Sequence, residues 1–253
     1  MKKHQRHSTI LIGKNTVTKT AAPELMRIEV KKTQRAYDIG LDYGLFRVPK
    51  VLDYDEVRGV VVLERINEVH PFSTKTNHCR SVIEQIGHSL AIIHQTLSLP
   101  QTMVNPLPTE LFLPEEEVFL HGDFNGQNIC VDPSSNAITI FDWQMTHRHG
   151  GKATYGSRYF DLVWFVNYLL WEPTIGHLLG DPVAPVAKSF LTSYFRNADI
   201  SYNADALASY ANSFFAMKLP MRKQNATWRT RYLLQRSGVL TQRFIASLEA
   251  LTS

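Results

Sequence analysis

His121-Gly122-Asp123-Phe124-Asn125-Gly126-Gln127-Asn128, followed by Ile140-Phe141-Asp142-Trp143-Gln144, is the stretch that decides the fold. An apolar run, Val118-Phe119-Leu120, leads into it. Ile129-Cys130-Val131 leaves it, and Ala137 to Phe141 delivers Asp142. Pro133-Ser134-Ser135-Asn136 supplies turn chemistry between the last two runs, so the whole reads strand, loop, strand, turn, strand. The polar residues have complementary chemistry. Asp123 can accept a hydroxyl proton, while Asn128 and Asp142 offer the hard oxygens that Mg²⁺ prefers. Taken singly, an Asp after a Gly is a common turn residue that caps backbone amides. The combination carries the reading.

On these residues the chain resembles the aminoglycoside phosphotransferase and choline kinase-like small-molecule kinases, which share the protein-kinase-like fold. Protein kinases usually carry Arg between the His and the Asp, and Asp-Phe-Gly downstream. This chain has Gly122 and Asp142-Trp143-Gln144, as the small-molecule branch does. The resemblance implies an α+β, bilobal protein-kinase-like fold. A small N-terminal β-sheet lobe with one helix would precede a larger, mainly helical C-terminal lobe. It also implies Asp123 as catalytic base, Asn128 and Asp142 as Mg²⁺ ligands, and His121 as support for the loop. ATP is the default donor, with GTP left open. In many protein kinases the missing Arg grips a phosphorylated activation loop, so Gly122 implies a site that is not switched that way.

Length and composition agree with one two-lobed enzyme: 253 residues, 44% hydrophobic and 20% charged, can bury a sizeable core. The most apolar run, Leu162 to Trp171, is too short to span a bilayer and reads as a buried helix. The basic start, Met1 to His7, runs into a short β-like stretch rather than a signal-peptide core. Cys79 and Cys130 lie far apart and form no disulfide framework, which fits a reducing cytoplasm.

The expected division is a nucleotide-binding lobe over 1–66 and a catalytic, acceptor-binding lobe over 67–253. Ser8 to Ile12 and Thr16 to Thr20 read as strands around the turn Gly13-Lys14-Asn15. A helix then runs from Glu24 to about Ile39, opened by Pro23 and stopped near Gly40, with Leu25, Ile28, Lys32 and Ala36 at helical spacing. Two strands follow, Lys50 to Tyr54 and Val57 to Leu63, turning at Asp55-Glu56. By the resemblance, Lys19 neutralises nucleotide phosphates and Glu29 holds it, with Lys14 and Glu24 as alternatives. Glu64 and Ile66 would meet the nucleobase through backbone groups at the hinge. The chain departs from the kinase pattern in having no Gly-x-Gly-x-x-Gly and room for about one hairpin before the helix. A phosphate-covering loop is therefore short or absent.

In the large lobe, a helix over Asn77 to Leu97 carries Val82, Ile83, Ile86, Leu90, Ile93 and Leu97 on its core face. His94 on it reads as a packed histidine beside the catalytic loop. Asp161 heads the apolar helix that follows, where the helix dipole favours an anion, and by the resemblance it braces the catalytic loop. His147 and His149 lack a third ligand for a zinc set. Arg148 and Arg158 are candidate contacts for an anionic substrate or the transferred phosphate.

From Ala206 to Leu248 the chain has no acidic residue against seven basic ones, and the overall pI is about 9.0. A solvated basic helix face is the plain reading; an anionic acceptor would also suit it. Cationic aminoglycosides would want carboxylates, and choline an aromatic cage, for which Trp164, Trp171, Tyr168 and Trp228 are available rings. The expectation is a Mg²⁺-dependent transfer of the γ-phosphate of ATP or GTP to a hydroxyl of a sugar, glycan precursor or other metabolite. The alternatives are a pseudokinase or nucleotide-binding module without catalysis, and a binder of an anionic surface or nucleic acid through the basic C-terminal segment. Nucleic acid is not the expected partner, since nothing beyond charge points to it.

Overall fold

The computed structural model describes residues 8–73, 80–113, 116–146, 151–171, 183–223 and 228–248. Strands β1 (Ser8–Ile12) and β2 (Thr16–Ala21) precede helix α1 (Pro23–Tyr43), and β3 (Val51–Asp55) and β4 (Val60–Glu64) follow it. These four strands form one antiparallel sheet in the order β1-β2-β4-β3. A two-residue strand β5 (His70–Pro71) then leads toward α2 (Arg80–Thr96). Strands β6 (Glu117–Phe119), β7 (Ile129–Val131), β8 (Ile138–Ile140) and β9 (Tyr155–Ser157) carry the central segment. Helices α3 (Tyr159–Trp171), α4 (Val183–Asn197), α5 (Ala204–Lys223) and α6 (Trp228–Ser247) complete it. This is the expected small β-sheet lobe with one helix, followed by a mainly helical lobe.

The core is divided unevenly. A small cluster of Ala21, Met26, Val30 and Val61 ties the sheet to the first half of α1. A second, continuous cluster begins on the same helix at Ala36 and Ile39 and extends through α2, β7, β8 and α3 to Leu248. Helix α1 thus packs its N-terminal half on the sheet and its C-terminal half on the large lobe. The apolar run expected to be a buried helix is α3, in which Leu162, Phe165, Val166 and Leu169 are fully buried. Among the described residues no helix is long and apolar enough to cross a membrane.

Several boundaries differ from the sequence reading. Helix α1 runs past Gly40 to Tyr43 and ends at Gly44, whose φ of 65° is the left-handed conformation that closes a helix. Gly40 serves a different need, because a Cβ there would sit 2.7 Å from the Phe46 carbonyl oxygen. The loop between α1 and β3 passes over the helix at that point. Val57, read as strand, is 87% exposed at the tip of the β3–β4 turn, and β4 starts only at Val60. The helix expected from Asn77 is described from Arg80, and Asn77 to Cys79 lie outside the described residues. Cys130 is a buried free thiol, while Cys79 falls outside the described residues.

Candidate active site

The β7–β8 hairpin brings Asn128 and Asp142 together. Its ladder pairs Ile129 with Ile140, and one step further the Phe141 amide donates to the Asn128 carbonyl at 2.8 Å. Asp142 therefore leaves β8 beside Asn128. Its φ of 53° is left-handed, a conformation that costs a non-glycine residue about 1 kcal/mol or more. Two contacts hold it there: Lys19 Nζ lies 2.7 Å from Asp142 Oδ1, and the next side chain, Trp143, is buried against His121 with ring centroids 4.6 Å apart.

Lys19 also meets Glu29 Oε1 at 2.8 Å. Strand β2 and helix α1 place these residues face to face beneath the sheet, where both are buried. Burial alone would lower the Lys19 pKa, but the two carboxylates Glu29 and Asp142 outweigh it and hold the ammonium at about 12. A permanent positive charge thus sits between the helix and the end of β8. Asp142 is only partly covered, with 41% of its side chain exposed.

Asp123 stands on the other side of the loop. Trp164 Nε1 donates to its Oδ1 at 2.8 Å, Asn125 to the same oxygen at 3.0 Å, and Asn128 to its Oδ2 at 3.0 Å. Burial, then the Asp142 charge, push the carboxyl up to about 6 against the pull of these donors. A carboxylate in that range is a better proton acceptor than a solvated Asp. Since the Asn128 amide nitrogen is engaged with Asp123, its Oδ1 is the side-chain atom left to accept or coordinate.

The loop is fastened from behind by Asp161. Its Oδ2 accepts from the His121 amide at 2.7 Å and from His94 Nε2 at 3.1 Å, and its Oδ1 accepts from the Gly122 amide at 2.9 Å. Burial works against the Asp161 anion, yet the hydrogen bonds from His94 and the Gly122 amide outweigh it and hold the carboxyl below its ordinary range. Gly122 has a φ of 90°, and a Cβ would approach Met145 Cα to 2.9 Å. An arginine at this position would not fit the observed backbone.

Residues 99–183 match the model of the phosphotransferase enzyme family (APH), a segment that contains Asp123, Asn128, Asp142 and Asp161. Over this segment, about a third of the chain, the sequence is similar to that phosphotransferase family. No curated protein matches the chain in sequence. Solved structures agree in fold. A choline/ethanolamine kinase family protein from Mesorhizobium loti superposes with a TM-score of 0.54 at 14% identity, covering 98% of this chain and 90% of that one. An aminoglycoside phosphotransferase from Streptomyces rimosus gives 0.50 at 12% identity, covering 83% and 89%. An amicoumacin kinase in complex with AMP-PNP, Ca²⁺ and amicoumacin gives 0.51 at 12% identity, covering 96% and 88%. The fold is that of protein-kinase-like small-molecule kinases.

Other sequence-selected residues of this phosphotransferase-like site are placed as follows. His121 is fully buried; its Nε2 lies 3.1 Å from the Phe141 carbonyl, and its Nδ1 accepts the Asp123 amide at 3.2 Å. Burial holds this imidazole down at about 4, so it is neutral with its proton on Nε2. Glu64 ends β4, and its amide donates to the Lys50 carbonyl at 2.9 Å, within the sheet. Ile66 follows two residues later, half-buried. Arg158 pairs with Glu116 at 2.7 Å and reaches the Tyr194 hydroxyl at 3.4 Å. Arg148, His147 and His149 lie outside the described residues. A cavity of about 340 Å³ opens at the C-terminal end of α1, lined by Tyr37, Arg47, Gln85 and Ile138, and shares only Glu64 with these positions.

Two residues, Trp164 and Lys32, make contacts that the sequence does not disclose. Trp164 was read as a ring for a cationic ligand, whereas it holds the Asp123 carboxylate and carries Lys218 on its face, Nζ 4.0 Å from the ring centroid. Lys218 is 3% exposed, so this member of the basic C-terminal series is not on a solvated face. Lys32, read only as part of a helical stripe, is fully buried and donates to the His121 carbonyl at 2.6 Å. Its place on the apolar face of α1 was the available signal.

Proposed function

We propose that this protein is a Mg²⁺-dependent phosphotransferase that moves the γ-phosphate of ATP or GTP to a hydroxyl of a small molecule. The observation that carries the reading is the single cluster in which Lys19 bridges Glu29 and Asp142, while Asn128 donates its side-chain amide to Asp123 and accepts the amide of Phe141, the residue before Asp142, at its carbonyl. Residues 1–66 serve as the nucleotide-binding lobe and 67–253 as the catalytic and acceptor lobe. Nucleotide base contacts fall to the backbone at Glu64 and Ile66, and phosphate charge to Lys19.

The donor set fits a divalent cation of the hard type. Among the described residues no group of three or more His, Cys, Asp and Glu forms a closed metal cage. Asn128 Oδ1 and the part-exposed Asp142 carboxylate suit Mg²⁺, which commonly takes few protein ligands and completes its shell with phosphates and water. When bound it would supply positive charge to the nucleotide phosphates. The remaining work belongs to the chain. Asp123 orients the acceptor hydroxyl and takes its proton, with Trp164 and Asn125 fixing the carboxylate in direction. Lys19 stays charged and offsets the negative charge that spreads over the transferred group. Asp161, His94 and His121 hold the loop so that these groups are in place beforehand.

The acceptor is best sought among uncharged or anionic hydroxyl compounds, such as sugars, glycan precursors and other metabolites. Lys218 already occupies the face of Trp164 that a quaternary ammonium would use. A cytoplasmic enzyme with ready access to nucleotide fits this reading.

A second reading has its own observation. The β1–β2 turn lies beside the hinge, with Gly13 and Asn15 carbonyls accepting from Arg65 at 2.7 and 3.0 Å, and the Gly13 amide donating to Thr16. Among the described residues no glycine-rich hairpin covers the phosphate side of the cleft, which suits a nucleotide-binding module without catalysis.

Thermal stability with ATP, GTP and ADP, with and without Mg²⁺, separates the two. Wild type is expected to gain about 2.7 kcal/mol at a hundredfold excess of nucleotide over its Kd. Asp142→Ala is expected to lose the Mg²⁺ dependence of that gain. Phosphate transfer to a hydroxyl panel then distinguishes enzyme from module, and indifference to every nucleotide overturns both.

A further inference from the structure

Lys32 is a lysine with no exposed surface, placed one turn after Glu29 on α1, and its Nζ donates to the carbonyl of His121 at 2.6 Å. Burying an ammonium costs several kcal/mol unless charges and hydrogen bonds compensate. Here the carboxylates arranged around it are Asp161 on α3, Glu29 on its own helix, and Asp142 and Asp123 from the two ends of the β7–β8 unit. The facing imidazole of His121 is neutral. Desolvation, the largest influence, still pushes the Lys32 pKa down to about 8, which marks a group held in place at a cost.

The peptide it grips has a special position. Every polar atom of His121 is engaged: its amide with Asp161, its carbonyl with Lys32, Nε2 with Phe141 and Nδ1 with the Asp123 amide. The two ends of this network are the residue before Asp142 and the proposed base itself. Lys32 joins them to the helix that carries Glu29, at the point where α1 passes from the small cluster at Met26 and Val30 to the large one at Ala36 and Ile39.

We propose that Lys32 is a positioning residue of the phosphotransfer site, a strut from α1 to the His121 carbonyl that holds the Glu29–Lys19 pair and the Asp123 loop in one fixed arrangement. The inference rests on the phosphotransferase reading for its catalytic consequence, though not for the coupling itself. In this arrangement α1 needs no phosphorylated loop to bring it inward, in keeping with a backbone at Gly122 that admits no arginine. Misplacing reacting groups by even 1 Å can cost about a hundredfold in rate.

The test compares full-length wild type with Lys32→Met, which keeps length and removes both charge and donor. Hydrogen exchange reports the coupling, and slow consumption of Mg·ATP, with water as acceptor, reports the chemistry. Lys32→Met is expected to speed exchange at least tenfold at the amides of 121–128 and 26–33, leaving α4 unchanged. It is also expected to lower kcat at least tenfold with KM for ATP changed less than threefold. Unchanged exchange, or acceleration spread evenly over the chain, overturns the strut. A wild type that consumes no ATP while the local exchange effect persists leaves the strut standing and rejects the phosphotransferase reading. An active wild type with an equally active Lys32→Met does the reverse. If Lys32→Met fails to fold, Lys32→Gln takes its place under the same criteria. Failure of both to fold also overturns the proposal, because Lys32 would then serve the fold as a whole.

Discussion

The two halves of the candidate site are built differently. Behind the loop over 121–128, Asp161, His94, His121 and Lys32 are fully or almost fully buried and joined by hydrogen bonds of 2.6 to 3.1 Å, within the large continuous core. The sheet that carries Lys19 rests on a core of four residues and ends in an edge strand whose Ile10, Leu11 and Ile12 are all more than half exposed. Polar satisfaction fixes one half and thin apolar packing the other. The loop that carries the proposed base and metal ligands has one arrangement, while the half that carries Lys19 depends on α1 for its attachment. Buried polar networks are costly when partly broken, so perturbing the two halves should give effects of different size.

Asp161→Ala should have the largest effect. It orphans the His121 amide, the Gly122 amide and His94 Nε2, and a buried unsatisfied donor costs about 1–3 kcal/mol. Three such losses approach the whole stability of an ordinary domain, roughly 5–15 kcal/mol. Urea unfolding is the measurement. A loss below about 1 kcal/mol would mean that water replaces the carboxylate, and that the contrast between the halves is less than the geometry implies.

The next test uses pH. The Lys32 pKa falls from an ordinary 10.5 to about 8 in the fold. Between those values the unfolded chain holds a proton that the folded chain has released, so stability rises with pH across this interval through the Lys32 contribution. The wild type should therefore gain on the order of a few kcal/mol between pH 8 and 10.5 relative to Lys32→Met, which lacks the group. The difference between the two proteins cancels the titration of other lysines and tyrosines. Parallel stability profiles would show that the buried ammonium is already compensated.

These residues also show what a sequence can disclose. The loop from His121 to Asn128 and the strand ending at Asp142 were legible because their chemistry needs particular residue types at short spacings, and the flanking strands follow from apolar runs broken by turn residues. Asp161 was visible as an acidic residue in the first turn of α3. What it binds was not visible, because its partners come from 39, 40 and 67 positions away. Lys32 sat on the apolar stripe of α1, yet its partner is 89 positions distant. Helical spacing shows which face a residue occupies, and tertiary packing decides whether a lysine there escapes to water. Gly40 was misjudged for a related reason: a glycine permits a helix end, but here it permits the close approach of the Phe46 backbone. The shift of β4 to Val60 reflects pairing with β2, which begins at Thr20 opposite Val60, so the apolar Val57 is left in the turn.

Ile10→Lys should have the smallest effect. Ile10 is 55% exposed on β1, where β2 is its only neighbouring strand in the sheet and the outer edge carries no partner among the described residues. Substitutions at such positions usually change stability by no more than about 0.5 kcal/mol, because little area leaves or enters water. A charge on an apolar edge also discourages strand-to-strand association between copies. Thermal unfolding at two protein concentrations tests both points. An unchanged midpoint with less aggregation on heating would confirm that the edge is simply solvated. A loss of 2 kcal/mol or more would show that Ile10 is covered in solution, and the small lobe would then be better supported than its four-residue core implies.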